Sequence, residues 1–228
     1  MEETSVQSLK QINKYSDEIT IEKEIKLNCY HSYISSFFVK SDLRLKLLSI
    51  VYIDIELNKI LKLNTENNIL IVKFEWWKVS CQESLAGKPF AVPILRILNQ
   101  LFYEDKIIKF RILNLIKFFQ NYALEENSRY KIKCYHRYIK YKNDFLRYIL
   151  DIKTIDNRAY KALNYALLYK AYEKFNKNKE KNICLYKAKL NCKRPNAKIL
   201  ILFLLNSKLN FNKLLLLKQF FYVKFRYW

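Results

Sequence analysis

SDLRLKLLSIVYIDIELNKILKL, residues 41–63, decides the fold class. Leu43, Leu47, Ile50, Val51, Ile53, Leu57, Ile60 and Leu61 spread around most of the circumference of a helix rather than along one stripe. A helix that is apolar on most sides needs neighbours on most sides, so residues 43–63 read as the central helix of a bundle. Ser41-Asp42 offers it an N-cap. One polar line runs along this surface, made of Asp54, Asn58 and Lys62 at i, i+4 and i+8.

The pattern stays helical on both sides of that stretch. Residues 30–39 (YHSYISSFFV) read as a short helix. Residues 1–20 are polar and read as a frayed stretch or a single weak helix, giving a polar N-terminal segment over 1–27 and one domain over 28–228. Residues 64–68 (NTENN) read as a loop, followed by a helix through IVKFEWWKVSCQESL, residues 71–85. Ala86-Gly87-Lys88-Pro89 ends it: Gly supplies a C-cap and Pro blocks continuation. Further helices are expected at about 91–102, 105–122, 130–151 and 156–177, then a charged loop at 176–182 (NKNKEKN). The C-terminal segments KILILFLLNSKL and NKLLLLKQFFYVKF each fall far short of the ~20 apolar residues a membrane span needs. They read as a basic helix pair, packed in the core or lying at a membrane interface.

Composition agrees with an all-α, single-domain bundle. The chain of 228 residues holds one glycine, too few for the tight turns of a β-rich fold or for a glycine-rich phosphate loop. Charge is divided unevenly. Residues 1–128 hold 17 Lys and Arg against 16 Asp and Glu, a net of +1; residues 129–228 hold 25 against 5, a net of +20. Such asymmetry points to an anionic partner for the C-terminal half. Mutational bias toward Lys and Asn in an AT-rich genome gives the same composition without selection for binding. The five cysteines have no disulfide-framework spacing and the N-terminus has no signal-like apolar core, so a cytoplasmic protein with reduced thiols is expected.

Several motifs carry a family resemblance. Residues 31–60 are similar to the opening helices of squalene/phytoene synthases, and IVKFEWWKVSCQESLAGKPFAVPIL resembles their IRLxWWRDALxxxxxGxPVAxAL segment. Glu75-Trp76-Trp77-Lys78 followed by Gly87-Lys88-Pro89 is the most specific match. Residues 138–150 and 159–170 resemble later helices of the family more faintly. The doublet Glu56-Leu57 and the Trp76-Trp77 pair resemble the branch related to the respiratory complex I assembly factors, thought to have kept the fold and lost the prenyl chemistry.

The resemblance implies an isoprenoid-synthase type of bundle, and it also says what is missing. Catalytic members hold Mg²⁺ and a prenyl diphosphate between two Asp-rich helical motifs, hard oxygen ligands suiting the ion. The aspartate positions of the first motif fall here on Asn58, Lys59 and Lys62; Asp54 and Glu56 lie nearby but point to different sides of a helix. In the second motif Ala171 and Phe175 stand about where carboxylates belong, with Glu173 the remaining acid. The family's glycines near 144 and 164 read as Asp144 and Asn164. No catalytic residue, no metal ligand and no cofactor are therefore expected, Mg²⁺ belonging only to the alternative of a divergent prenyl-diphosphate transferase. Lys59 and Lys62 standing in for the metal charges on a diphosphate is a further alternative. Asp54, Asn58, Lys62, Trp77 and Lys170 are the candidates for lining the old pocket.

Two other patterns carry less. CYHSYI (29–34) and CYHRYI (134–139) place Cys and His two apart, on opposite sides of a helix, unable to share a metal unless it unwinds. RYKIKCYHRYIKYK (129–142) interleaves cations with tyrosines as single-stranded nucleic-acid binders do, without a recognisable module around it. Trp76 and Trp77 read as core anchors. The functional expectation is a non-catalytic factor that binds a partner protein or an anionic membrane surface, peripheral at the inner membrane, with an isoprenoid diphosphate or other lipid as a lesser candidate ligand.

Overall fold

The computed structural model describes residues 2–37, 39–63, 65–103, 105–151 and 175–191, together with Lys161, Asn164, Tyr165, Leu168, Tyr169 and Tyr172. Among them every regular element is a helix, and there are eight: α1 (Glu2–Asn28), α2 (Tyr30–Ser36), α3 (Ser41–Leu61), α4 (Asn67–Ser84), α5 (Pro93–Phe102), α6 (Lys106–Leu124), α7 (Ser128–Ile149) and α8 (Asn178–Asn191). The isolated residues between 161 and 172 are helical as well. None of the described helices is long and apolar enough to cross a membrane. The two C-terminal segments lie outside the described residues.

α3 is the central helix, as its apolar circumference implies. It touches α1, α2, α4, α5, α6 and α7, and Leu47, Leu48, Ile50, Ile53 and Leu57 are fully buried. α6 turns one face to this core through Ile108, Ile112, Leu115, Ile116 and Phe119, spaced three and four apart as a helix stripe must be. The second half of α1 belongs to the same core. Ile21 and Ile25 are fully buried, and the Asp17 carboxylate takes a bidentate grip from Arg96 of α5, at 2.7 and 2.5 Å. Of the two readings of residues 1–20, the helix is what forms, and from Asp17 onward it is integral rather than a detached polar segment.

Several boundaries differ from expectation for local reasons. α3 is not capped by Ser41 or Asp42; the Lys40 carbonyl already accepts from Leu43 and Arg44, so Lys40 is the N-cap and Ser41 lies inside the helix. The 64–68 loop is shorter than expected because α4 starts at Asn67. α5 starts at Pro93 rather than 91: proline suits the first helical position and holds the preceding Val92 extended. α2 stops at Ser36, before the expected 39. The charged run at 176–182 is mostly helix, since Lys and Glu are good helix formers once the previous helix has ended. That ending is a left-handed Asn176 (φ 55°), with the Lys177 N–H bonded to the Tyr172 carbonyl.

Gly87 does what the sequence assigns to it. At φ 92° it closes α4 with the Gly87 N–H on Ser84 and the Lys88 N–H on Glu83. A Cβ there would meet the Tyr103 ring at 2.8 Å. The buried Ser84 hydroxyl then donates to the Leu95 carbonyl at 2.5 Å, tying the end of α4 to α5.

Candidate functional site

Asp54, the expected acid of the old pocket, is buried where α3 meets α7. α7 presents Tyr138, Lys142, Phe145 and Ile149 at helical spacing, so Lys142 stands in the middle of an apolar face. Its ammonium lies 2.6 Å from Asp54 Oδ2, while the Tyr138 hydroxyl donates to Oδ1. Both carboxylate oxygens are thereby engaged inside the protein. The Asn58 amide donates to the Asp54 carbonyl at 2.7 Å, turning back along α3 rather than out into a cavity.

An aromatic layer seals this cluster. Phe119 of α6 meets the Tyr138 ring edge-on at 4.4 Å, and Tyr135 contacts Tyr138, Tyr122 and Phe175. Phe175, one of the two positions at which the resemblance would place a carboxylate, packs into the layer. Burial, and then the Asp54 charge, push the phenols of Tyr138 and Tyr135 well above their ordinary range, so both remain neutral.

The remaining expected pocket residues are dispersed. Lys62 is exposed at the C-cap of α3, and Trp77 is buried on α4. Lys170 lies outside the described residues, as do Ala171 and Glu173. Glu56 points away from Asp54, as the two-residue spacing requires, and pairs with Lys59 at 2.7 Å. Lys59 also reaches Glu24 of α1 at 3.1 Å, so two carboxylates hold it. The line Asp54, Asn58, Lys62 runs from the interior to solvent: buried, half-buried and exposed in turn.

Two grooves stand out among the described residues, and Asp54 lines neither. One, of about 670 Å³, opens at the start of α3, where Arg111 lies over the Tyr148 ring at 4.7 Å and Arg147 faces Asp144 at 3.6 Å. The other, of about 360 Å³, lies between the end of α3 and α4, lined by Glu56, Lys59, Leu63, Lys73, Trp76 and Trp77. The two tryptophans meet edge to face at 5.3 Å, but only Trp77 is a core anchor; Trp76 is 48% exposed. Ile69, Val72 and Val79 share its outward face.

The tyrosines of the 129–142 stretch mostly turn inward. Tyr135 and Tyr138 belong to the aromatic layer, while Tyr130 stays outside with Lys133, Arg137 and Lys140 on the outer row of α7. Burial and the neighbouring Lys140 lower the His136 pKa. Cys29 bonds Ser32 at 3.0 Å; Cys81 is pushed up to about 12 by burial and is inert as a nucleophile. Among the described residues no group of three His, Cys, Asp or Glu side chains is placed to hold a metal ion.

Sequence reasoning found Asp54 but missed Lys142 and Tyr138, the residues that engage it. The signal was a lysine four residues after a tyrosine on the apolar face of a helix, obscured by the abundance of lysine around it. Comparison with known protein families, curated proteins and solved structures finds no match to this chain.

Proposed function

We propose that this chain is a non-catalytic binding factor on a squalene/phytoene synthase-type helical framework, acting on a partner protein, with respiratory complex assembly as its setting. The observation that carries the reading is the state of Asp54. The acid nearest the lost aspartate positions is shared between an ammonium and a phenol, and a metal would have to displace Lys142 from the interior to reach it. Lys59 is likewise held by Glu24 and Glu56.

Calorimetry with farnesyl diphosphate, with and without Mg²⁺, tests this directly. No Mg²⁺-dependent heat and no product are expected. Mg²⁺-dependent binding with turnover would restore the reading of a divergent prenyl-diphosphate transferase. Metal-independent binding without turnover would favour a lysine-lined lipid site.

A second reading, binding at an anionic membrane surface, is favoured by the outer row of α7. Lys133, Arg137 and Lys140 are exposed there and none of them enters an ion pair among the described residues. Sedimentation with phosphatidylglycerol vesicles, lost on charge reversal at those three positions, distinguishes it from protein binding.

A further inference from the structure

α4 carries two apolar stripes. One, through Leu70, Phe74, Trp77 and Cys81, is buried in the core. The other, Ile69, Val72, Trp76 and Val79, faces solvent at 44, 67, 48 and 50% exposure. Its spacing of three, four and three residues is that of a coiled-coil seam. Neither solvation nor helix propensity favours isoleucine, valine and tryptophan there; lysine, glutamate or glutamine would serve both better. A second apolar stripe on a surface helix is accounted for when another element covers it.

The shape and charge of the face indicate what that element is. A seam repeating every seven residues is matched along its length by another helix. The 360 Å³ groove beside it, with Leu63, Trp76 and Trp77 on its walls, leaves room for a large apolar side chain of that helix. Lys73 stands exposed between the seam and the groove and enters no ion pair among the described residues. On the other flank Glu75 is already neutralised by Lys78 at 2.9 Å, which holds its carboxyl below the usual range. Lys73 is therefore the uncompensated charge beside Val72 and Trp76, with exposed Glu66 one heptad earlier on the same flank. An antiparallel second copy of the chain fits poorly: pairing with Val72 opposite Trp76 sets the two Lys73 ammoniums on the same flank, less than a turn apart.

We propose that the outer face of α4 is a docking surface for an amphipathic helix of a partner protein, with an apolar seam against Ile69, Val72, Trp76 and Val79 and a carboxylate opposite Lys73. The proposal rests on the binding-factor reading and names its surface.

The test uses the full chain and three designed three-heptad peptides: a leucine seam flanked by glutamates, the same seam flanked by lysines, and a scrambled seam with glutamates. Binding is read by peptide anisotropy and by the blue shift of tryptophan emission as Trp76 is covered. The glutamate-flanked peptide should bind best and the scrambled one not at all. Val72→Glu and, separately, Val79→Ser should abolish or weaken binding without moving the circular dichroism spectrum, both sites being exposed. Lys73→Glu should shift preference toward the lysine-flanked peptide by roughly fivefold, the upper range for one exposed pair.

Equal binding of all three peptides, or none, overturns the proposal. So does concentration-dependent self-association lost in Val72→Glu, which would assign the seam to a second copy. Binding to phosphatidylglycerol vesicles that Val72→Glu removes would assign it to a membrane. Failure of the peptides leaves the calorimetric test of the binding-factor reading untouched, whereas Mg²⁺-dependent turnover of farnesyl diphosphate sinks that reading and leaves the peptide result standing.

Discussion

Burying a charge costs several kcal/mol, and Asp54 and Lys142 offset that cost only because each has the other. Truncating one partner is therefore worse than removing the whole cluster. Asp54→Ala should destabilise the chain by about 3–5 kcal/mol, leaving the Lys142 ammonium buried and unpaired. The triple replacement Asp54→Leu, Tyr138→Phe, Lys142→Met should recover most of that loss, since no buried polar group is then orphaned. Urea denaturation of the two variants decides it; a loss under 1 kcal/mol for Asp54→Ala would mean that water reaches the cluster. The phenols add a pH dependence. An ordinary tyrosine ionises near 10, whereas Tyr138 and Tyr135 are held neutral well beyond that by burial and the Asp54 charge. The unfolded chain thus loses those protons first, so their contribution is complete below about pH 10 and is lost as pH rises further. Stability measured from pH 9 to 11 should fall, with a shallower slope in Tyr138→Phe; equal slopes in the two proteins would remove Tyr138 as the cause.

At the level of elements, caps separate what sequence can and cannot show. Asp105 accepts from the Ile107 and Ile108 N–H groups at 3.0 and 2.9 Å and opens α6, so Asp105→Ala should cost roughly 1 kcal/mol. Ser41 looks like an equally good cap in sequence, yet it makes no capping bond and Ser41→Ala should fall within about 0.5 kcal/mol. Thermal melts of both variants check the contrast, and a larger loss for Ser41→Ala would refute it. Helix existence was legible because it rests on apolar spacing, as in α3 and α6, and on glycine punctuation, as at Gly87. Exact ends were less so, because Lys40 and Asn67 begin or precede helices through backbone geometry that many residue types satisfy. The candidate site was legible only by half. Asp54 stood out as an acid in an apolar helix, but its partners lie 84 and 88 residues away on α7, and no local pattern joins them. Trp76 was misjudged as a core anchor for a related reason: sequence shows that a helix is apolar on two sides, not which side finds neighbours.

Over the whole molecule, a net charge of +21 sets repulsion against a small number of ion pairs, and the distribution decides which prevails. The pairs that could be weakened by salt, such as Lys78 with Glu75 and Lys88 with Glu83, are on the surface and each is worth little. The pair between Asp54 and Lys142 is buried and screened far less. Repulsion, by contrast, is concentrated in residues 129–228, where cations outnumber acids 25 to 5. Added salt, with a Debye length of about 10 Å at 0.1 M, should therefore stabilise the fold. The urea midpoint should rise as sodium chloride is increased at constant pH, and Lys133→Glu with Lys140→Glu should raise it at low salt while flattening its salt dependence. A midpoint that falls with salt would mean that surface pairs outweigh repulsion. The same two substitutions weigh selection against compositional bias. A polyanionic surface relieves the repulsion as dissolved salt does, so the wild-type chain should be stabilised by phosphatidylglycerol vesicles at low salt and the double variant much less. If vesicles leave the wild-type midpoint unmoved, the α7 row is a solvated face and the binding function rests on α4 alone.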